Sequence, residues 1–508
     1  MLKKLRFAAA AFFLIAVTLL FLDYTGTVHR YLGWTAKMQF FPAILAVNLA
    51  VVIGLILITL FLGRIYCSVI CPLGLFQDKV SRIAGLLKKN RFSYRPPRKP
   101  LVVTRYAILA VFALAAVAGI SVVPVLLEPY SAYGRMVSQL AGPLYKYANN
   151  ILAGFAERAG SYAFYTVDIW IKSMPALVIA VLTLVVIGAF AWKSGRGYCN
   201  GVCPLGTFLG FLSKFSLVKL RIDKNQCVGC AICAKNCKAG CIDSTARVID
   251  YTRCVACFNC IDRCPKKAVH YTKCSGVKTI GGADNSSIAN KQLTIEGSAR
   301  RGLITGTAML AAGFITRALA VRTYDFDGGL ASIEDKRAAS RKTQIIPPGA
   351  DNVRNFRRRC TGCQLCVSTC RNNVLRPSSE LSSFMQPHMS FERGYCRPEC
   401  VRCARICPTG AIRPITSAEK SSIQIGYAIW NRDLCVVNID NVNCDLCERV
   451  CPTAAITRIP RDANDSESLK IPMIDVNRCT GCGACEHLCP SRPYSAIYVE
   501  GVEAHRTI

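Results

Sequence analysis

The chain has 508 residues, 52% of them hydrophobic, and a formal net charge of +32 at pH 7. A single globular domain is excluded, because the apolar residues are concentrated in the first third and in one later stretch, as in membrane-spanning helices. Its 63 basic residues against 31 acidic ones fit basic cytoplasmic loops and anionic clusters. No nucleic-acid-binding signature accompanies them, so we expect no nucleic-acid partner.

Four apolar stretches in the first part of the chain predict a helical membrane anchor. Each can be helical, and the longer ones can cross a hydrocarbon core of about 30 Å. They are Phe7–Leu22, Ala43–Leu62, Leu101–Val125 and Ala176–Trp192. Basic residues precede the first stretch and fill the loop between the second and third, so we expect those segments in the cytoplasm. Residues 124–173 are then external, and their aromatic content predicts pieces that lie at the membrane interface.

The same motif follows the second and the fourth stretch. Residues 63–76 have the sequence GRIYCSVICPLGLF and residues 195–208 the sequence GRGYCNGVCPLGTF. Cysteines four apart on a helical turn share a face, so the two C-x3-C-P pairs together would form a four-thiolate site. We hypothesise that a further iron-sulfur cluster binds Cys67, Cys71, Cys199 and Cys203. A redox-active dithiol and a purely structural turn are the alternatives.

A pair of ferredoxin-type motifs follows the anchor. The spacing C-x2-C-x2-C-x3-C occurs at Cys227, Cys230, Cys233 and Cys237, and again at Cys254, Cys257, Cys260 and Cys264. Three cysteines on a tight loop hold a 4Fe-4S cluster, and in two-cluster ferredoxins the fourth ligates the partner cluster. By that rule Cys264 completes the first cluster and Cys237 the second. Cys241 and Cys274 are left over and have the character of ordinary core thiols.

A fifth, weaker apolar stretch at residues 303–321 follows Arg300 and Arg301. A twin arginine before a mildly apolar helix is typical of Tat-dependent export signals, and an ordinary span or a surface helix is the alternative. The sequence Ala318-Leu319-Ala320 is similar to a signal-peptidase site, which leaves cleavage into two polypeptides open.

The region after this stretch contains four more cysteine quartets. They are Cys360, Cys363, Cys366 and Cys370; Cys396, Cys400, Cys403 and Cys407; Cys435, Cys444, Cys447 and Cys451; and Cys479, Cys482, Cys485 and Cys489. Sixteen cysteines in this spacing predict four 4Fe-4S clusters, with disulfides or zinc as the alternative. The fourth cysteine of each motif is expected to ligate the cluster of a partner motif. Our preferred pairing joins the two outer motifs to each other and the two inner motifs to each other, in preference to neighbouring motifs.

Histidine usage argues against haem. Only five histidines occur, and only His29 lies near the anchor, so bis-histidine haem b is not expected. No C-x-x-C-H motif predicts haem c, and no Gly-rich nucleotide fingerprint is present. We assign no acid-base catalytic residue.

These patterns predict an α-helical polytopic membrane anchor joined to small α+β domains of the bacterial-ferredoxin type. The expected divisions are a four-span membrane domain (1–215), a cytoplasmic two-cluster domain (216–275), a linker (276–299), a twin-arginine-like fifth span (300–321) and a periplasmic four-cluster domain (322–508). The expected location is the bacterial inner membrane, with the last domain in the periplasm.

The chain resembles two known families joined end to end. The anchor, the two C-x3-C-P motifs and the paired ferredoxin motifs are similar to NapH of periplasmic nitrate reductase systems. From Arg300 onward, the twin arginine and the four quartets resemble NapG and the MauM ferredoxin-type protein. The resemblance implies a quinol dehydrogenase component that carries electrons from the quinone pool through six or seven iron-sulfur clusters to a periplasmic reductase or cytochrome.

Two other functions are consistent with the same sequence patterns. A cytoplasmic donor could feed electrons across the membrane, because a simple external quinol oxidase would not need the cytoplasmic cluster pair. Alternatively, the chain could be a maturation or regulatory protein that supplies electrons for assembling a periplasmic metalloenzyme.

Overall fold

The computed structural model describes residues 2–87, 92–94, 96, 99–161, 163–273 and 334–508. The expected linker and fifth span lie outside the described residues, as do Cys274, Arg300-Arg301, Ala318-Leu319-Ala320 and residues 322–333. Met1–Cys274 and Arg337–Ile508 form one compact unit.

The first part of the chain is helical. Its helices are α1 (Leu2–Leu22), α2 (Thr27–Leu32), α3 (Trp34–Lys37), α4 (Phe40–Leu45), α5 (Leu49–Leu62), α6 (Tyr66–Val69), α7 (Pro72–Leu87), α8 (Lys99–Ala118), α9 (Val122–Leu127), α10 (Pro129–Met136), α11 (Gly142–Arg158), α12 (Met174–Ser194), α13 (Gly197–Gly201) and α14 (Pro204–Leu212). A π-helical turn, Val137–Ala141, joins α10 to α11, and a 3-10 turn, Ser213–Phe215, follows α14. Helices α1, α8 and α12 are long and apolar enough to cross a membrane.

The second apolar stretch is not the single helix that hydropathy predicts. The chain breaks between α4 and α5, where Val47 has a φ of 56°. The Asn48 side chain then accepts a hydrogen bond from the Val51 amide (3.3 Å) and caps α5. With 14 residues, α5 is about 21 Å long, shorter than a full bilayer core.

The third apolar stretch also differs from the expectation. Helix α8 ends at Ala118, and the next residue, Gly119, has a φ of +80°. A residue without a Cβ adopts this left-handed conformation readily and so ends the helix. Residues 122–127 form the separate helix α9.

Helix α10 is buried, although the aromatic content of residues 124–173 predicted pieces that lie at the membrane interface. All eight of its residues are buried, and it packs against α7 and α12. The Glu128 carboxylate accepts hydrogen bonds from the Tyr130 and Ser131 amides, which caps the helix inside the protein. Small residues such as Ala132 and Gly134 allow this close packing, and Phe21 lies against Gly134.

The first ferredoxin-type domain contains two short antiparallel strand pairs. Strand β1 (Val218–Ile222) pairs with β4 (Val269–Lys273), and β2 (Ile242–Asp243) pairs with β3 (Val248–Ile249). The short helices α15 (Ile232–Lys235) and α16 (Asn259–Arg263) follow the two cysteine loops.

The C-terminal part repeats this type of architecture on a larger scale. Its helices are α17 (Val353–Arg359), α18 (Leu365–Thr369), α19 (Arg402–Ile406), α20 (Ser417–Ser422), α21 (Val436–Ile439), α22 (Leu446–Arg449) and α23 (Ala484–Leu488). Its strands are β5 (Leu375–Pro377), β6 (Pro387–Met389), β7 (Ile423–Trp430), β8 (Ile456–Pro460), β9 (Lys470–Ile474) and β10 (Ile497–Thr507), with 3-10 turns at Leu381–Ser383 and Arg432–Leu434. The strands pair antiparallel as β5 with β6, β7 with β10 and β8 with β9.

The two ferredoxin-type parts contact opposite ends of the long helices. On one side, Lys3 at the start of α1 pairs with Asp262 (2.8 Å), and the Arg196 amide beyond the end of α12 donates to the Lys238 carbonyl.

On the other side, the Arg371 guanidinium donates to the Thr25 carbonyl (2.6 Å), just beyond the end of α1. Met385 packs with Ala176 near the start of α12. Since α1 and α12 each reach from one part to the other, the helices lie between the two ferredoxin-type parts.

We therefore expect the two parts to lie on opposite sides of the membrane. Alkaline phosphatase fused after Ile508 should be active, because this enzyme works outside the cytoplasm. Fused after Cys274, alkaline phosphatase should be inactive, and a fluorescent protein fused there should fluoresce. Finding both fusion points on one side would contradict the arrangement.

Candidate functional site

Four of the six ferredoxin-type motifs share an unusual loop backbone. In each, the residue before and the residue after the second cysteine have positive φ. These pairs are Gly229 and Ala231, Ala256 and Phe258, Gly362 and Gln364, and Gly481 and Gly483. Successive residues of opposite hand gather backbone N–H groups into an anion-binding concavity, a geometry common at iron-sulfur sites. Because the left-handed conformation costs a non-glycine residue about 1–2 kcal/mol, its recurrence fits a loop shaped for a bound anionic cluster. The motifs with widened gaps, at Cys396 and Cys435, lack the pair.

The first ferredoxin-type domain brings its eight motif cysteines into two sets. Set 1 surrounds one small cavity and comprises Cys227, Cys230, Cys233 and Cys264. Set 2 is linked by electrostatic interactions between neighbouring thiols and comprises Cys254, Cys257, Cys260 and Cys237. The structure therefore places each fourth cysteine beside the partner motif.

Cys241 lies beside set 2, although its spacing from the motif cysteines does not connect it with a cluster. Its Sγ is 3.5 Å from Cys237 Sγ. The hydrogen bond from Cys241 lowers the pKa of Cys237 below that of an ordinary thiol. Donors to ligand sulfur tune the potential of a cluster, so Cys241 is a candidate tuning residue.

In the C-terminal part, adjacent motifs exchange their fourth cysteines, in contrast to the preferred pairing of outer with outer and inner with inner motifs. Electrostatic interactions between neighbouring thiols define these sets. Set 3 is Cys360, Cys363, Cys366 and Cys407; set 4 is Cys396, Cys400, Cys403 and Cys370; set 5 is Cys435, Cys444, Cys447 and Cys489; and set 6 is Cys479, Cys482, Cys485 and Cys451.

Contacts between the sets give them a linear order. Cys366 of set 3 neighbours Cys403 of set 4. The Cys396 amide of set 4 donates to the Cys482 carbonyl of set 6 (2.9 Å). Cys485 of set 6 neighbours Cys447 of set 5. The order is therefore set 3, set 4, set 6, set 5.

The donor chemistry of these sets fits iron-sulfur clusters, which are held by four cysteine thiolates each. Among the described residues, no group of three or more His, Cys, Asp or Glu side chains converges to hold one metal ion. The corners of a 4Fe-4S cube are separated, so its thiolates need not converge. Burial raises the pKa of Cys396 to about 11 and that of Cys447 to about 12, so metal binding to these thiols is coupled to proton release.

The two C-x3-C-P pairs meet in one buried site, here named the junction site. Its four cysteines are each 3–4% exposed, and Cys71 interacts electrostatically with the other three. Pro72 and Pro204 begin helices α7 and α14 directly after the second cysteine of each pair. Proline suits the first turn of a helix because no N–H is needed there.

Two fully buried arginines connect the repeats reciprocally. Arg64 Nη2 donates to the Cys199 carbonyl (2.9 Å), and Arg196 Nη1 donates to the Cys67 carbonyl (2.5 Å). The motif glycines make room for these bonds. A Cβ on Gly74 would lie 2.7 Å from Arg196 Nη1, and one on Gly206 would lie 2.6 Å from Arg64 Nη2.

Hydrogen-bond donors also surround the junction-site sulfurs. Arg64 Nε lies 3.3 Å from Cys67 Sγ, and Gln77 Nε2 lies 3.1 Å from Cys199 Sγ. The Gly206 amide donates to Cys203 Sγ (3.3 Å).

The charges at the junction site fit an anionic group. Arg196 forms an ion pair with Asp78 (2.7 Å), but Arg64 has no carboxylate partner among the described residues. A buried charge without a counter-ion is costly, so Arg64 points to an anionic centre held by the four thiolates.

The junction site lies between the two ferredoxin-type parts. Cys67, Cys71 and Cys203 share one continuous buried core with Cys257 of set 2 and Cys363 of set 3. Tyrosines 66, 130 and 198 belong to the same core. The junction site therefore lies within the buried core that reaches both ferredoxin-type parts.

Comparison with known families identifies regions of the chain that match 4Fe-4S binding domains. A family model described as a 4Fe-4S binding domain matches residues 44–91 and 173–223, which include both C-x3-C-P motifs. A 4Fe-4S dicluster domain model matches residues 442–492, which contain most cysteines of sets 5 and 6.

Similar curated proteins are ferredoxin-type electron carriers. The chain is 33% identical over 158 residues to the methylamine utilization ferredoxin-type protein MauM of Methylobacillus flagellatus, covering 30% of this chain and 67% of that protein. It is 29% identical to the ferredoxin-type protein NapG of Escherichia coli, covering 32% and 75%. It is 23% identical to the putative electron transport protein YccM of Escherichia coli, covering 44% and 55%. No solved structure gives a significant match.

Replacing two junction-site cysteines should remove the iron of one cluster. We expect the double variant Cys67→Ser, Cys199→Ser to lose that iron, because each repeat then keeps only one thiolate ligand. Iron and acid-labile sulfide analysis of anaerobically purified protein measures the loss, and Cys241→Ser, which lies outside every set, should keep all its iron. Unchanged iron in the double variant would refute a cluster at this site.

The glycine of the motif should tolerate no side chain. A Cβ at Gly74 would lie 2.5 Å from the Cys67 carbonyl oxygen, whereas one at Gly85 on the same helix meets nothing within 4 Å. Gly74→Ala should therefore destabilise the protein by about 1–3 kcal/mol, and Gly85→Ala should be neutral or slightly stabilising. Thermal unfolding of detergent-solubilised protein distinguishes the two, and equal effects would contradict the reciprocal arginine arrangement.

Proposed function

Because this chain belongs to the family of ferredoxin-type electron-transport proteins that includes MauM, we propose that it is the membrane-bound quinol dehydrogenase component of an electron-transfer chain. Electrons pass from the quinone pool to a periplasmic reductase or cytochrome. The main support is the position of the junction site, whose cysteines share one buried core with set 2 on one side and set 3 on the other. The protein then lies in a bacterial inner membrane, with sets 3 to 6 in the periplasm.

When bound, 4Fe-4S clusters in the six sets and at the junction site supply one-electron redox chemistry. The protein contributes the cysteines that hold each centre and the order in which the sets follow one another. Arg64 and Gln77 donate hydrogen bonds to sulfur at the junction site and so favour a more negative, reduced centre. The surrounding aromatic and aliphatic side chains exclude water.

Quinol is a suitable donor for such a chain. Oxidation of one quinol molecule releases two electrons and two protons, and centres that accept single electrons take the electrons one at a time. The apolar helices α1, α8 and α12 give the protein direct access to the lipid phase in which quinols dissolve. Sets 4, 6 and 5 then extend away from set 3 towards the acceptor.

A second function is favoured by the buried core that the junction site shares with set 2. Cys257 of set 2 belongs to the same core as the junction-site cysteines, so a cytoplasmic donor could reduce them directly. In this alternative, electrons enter through set 1 and cross the membrane without quinol.

An EPR-monitored redox titration distinguishes the two functions. The protein is purified anaerobically from membranes and treated with a menaquinol analogue, and in parallel with a reduced low-potential ferredoxin. We expect several 4Fe-4S signals, the higher-potential ones being reduced by the quinol. Intact signals that quinol leaves oxidised, together with reduction by the ferredoxin, would refute the quinol dehydrogenase function and favour the second one.

A further inference from the structure

A large cavity lies next to the junction site. Its volume is about 650 Å³, within the range of about 300–1,000 Å³ that is usual for small-molecule sites. It is bounded by the first half of α8, the end of α12 with α13, and two loops of the first ferredoxin-type domain, residues 239–240 and 250–253.

One wall of the cavity consists of apolar side chains on the long helices. Leu101 and Ile108 of α8 and Phe190 of α12 line it. Leu101 is 64% exposed and Phe190 is 41% exposed, and both lie on helices that are apolar enough to cross a membrane. The cavity is therefore open to a ligand that arrives from the lipid and leaves an apolar tail there.

The inner end of the cavity is polar, and Arg105 is its most informative residue. Arg105 is 6% exposed, and its Nη atoms make only long contacts with Thr252, of 3.5 and 3.4 Å. Its Nε has no hydrogen-bond partner among the described residues. A buried donor without a partner is costly, so this guanidinium is available for an oxygen atom of a ligand.

The same inner end lies close to the candidate redox centres. Asn200, Gly201 and Val202 line the cavity and lie in sequence between Cys199 and Cys203. Asn200 Oδ1 also accepts a hydrogen bond from Arg64 Nη1 (2.9 Å), and Arg64 Nε in turn contacts Cys67 Sγ. A ligand in this cavity would therefore be separated from the junction site by only one layer of residues.

We propose that this cavity binds the head group of a membrane quinol, with Arg105 donating to one of its oxygen atoms and the tail leaving between Leu101 and Phe190. The proposal rests on the proposed function and adds the place where the substrate binds. Each quinol gives two electrons, one at a time, to 4Fe-4S centres of the junction site and set 2. Its two protons leave to water on the side of the first ferredoxin-type domain, and the quinone returns to the lipid.

Photoaffinity labelling with an azido-naphthoquinone, mapped by mass spectrometry, tests the site directly. In the wild-type protein the label should attach to residues 101–108 or 190–202. Arg105→Gln removes the charged guanidinium and leaves a shorter side chain with a single amide donor group. Gly201→Leu fills the cavity, because a Cβ at Gly201 meets nothing within 4 Å. Each should reduce labelling at least about tenfold.

Gly188→Leu is the matched control, since Gly188 also has open space around it but does not line the cavity. It should label like the wild type. Iron content is measured in every variant, and Arg105→Gln decides the result if Gly201→Leu disturbs the neighbouring cysteines. Three results would overturn the proposal. They are label attached elsewhere in the chain, equal labelling of all variants, and a tightly held phospholipid found in the cavity in place of the quinone.

Failure of the site and failure of the function give different results. If quinol reduces the wild-type centres but the label attaches elsewhere, the cavity is refuted and the quinol dehydrogenase function stands. If the label attaches in the cavity and quinol reduces no centre, the quinone site is supported and the dehydrogenase function fails.

Discussion

The reciprocal hydrogen bonds of Arg64 and Arg196 are the interaction on which the arrangement of this protein depends. Each arginine donates to a cysteine carbonyl of the other repeat, so neither five-residue C-x3-C turn is complete alone. Both guanidinium groups are fully buried, which is tolerable only because Asp78 compensates one and an anionic centre can compensate the other. The ends of α5 and α12 are thereby held together, and with them the two halves of the anchor.

The other candidate redox sites are arranged in a spatial order on either side of the joined repeats. Set 2 approaches the junction site through Cys257, and set 3 approaches it through Cys363, on the other side of the same core. Sets 4, 6 and 5 follow by contacts between neighbouring loops. The buried helix α10 lies between the junction site and set 3. Its Tyr130 belongs to the shared core, and its Gly134 lies against the Cys363 carbonyl of set 3.

The sequence predicted what depends on local spacing and missed what depends on tertiary contacts. Three cysteines on a short loop are visible from spacing, as is the repeat that carries Cys67 and Cys199. The partner of a fourth cysteine is decided by the packing of whole motifs, so the preferred pairing in the C-terminal part was wrong. Hydropathy indicated the apolar stretches but not their breaks, although Asn48 and Gly119 were available as signals for a cap and a helix end. The tyrosines of α10 suggested an interface, because nothing local shows that Glu128 caps this helix inside the core.

If the junction site connects the two ferredoxin-type parts, electrons supplied to the first part should reach sets 3 to 6 through it. The most direct measurement uses sealed vesicles in which the first ferredoxin-type domain faces outward, with a membrane-impermeant low-potential reductant added outside and EPR signals of sets 3 to 6 recorded over time. We expect these signals to appear in the wild-type protein and to stay absent in the Cys67→Ser, Cys199→Ser variant, while sets 1 and 2 accept electrons in both. Equal reduction of sets 3 to 6 in the variant would contradict this connection.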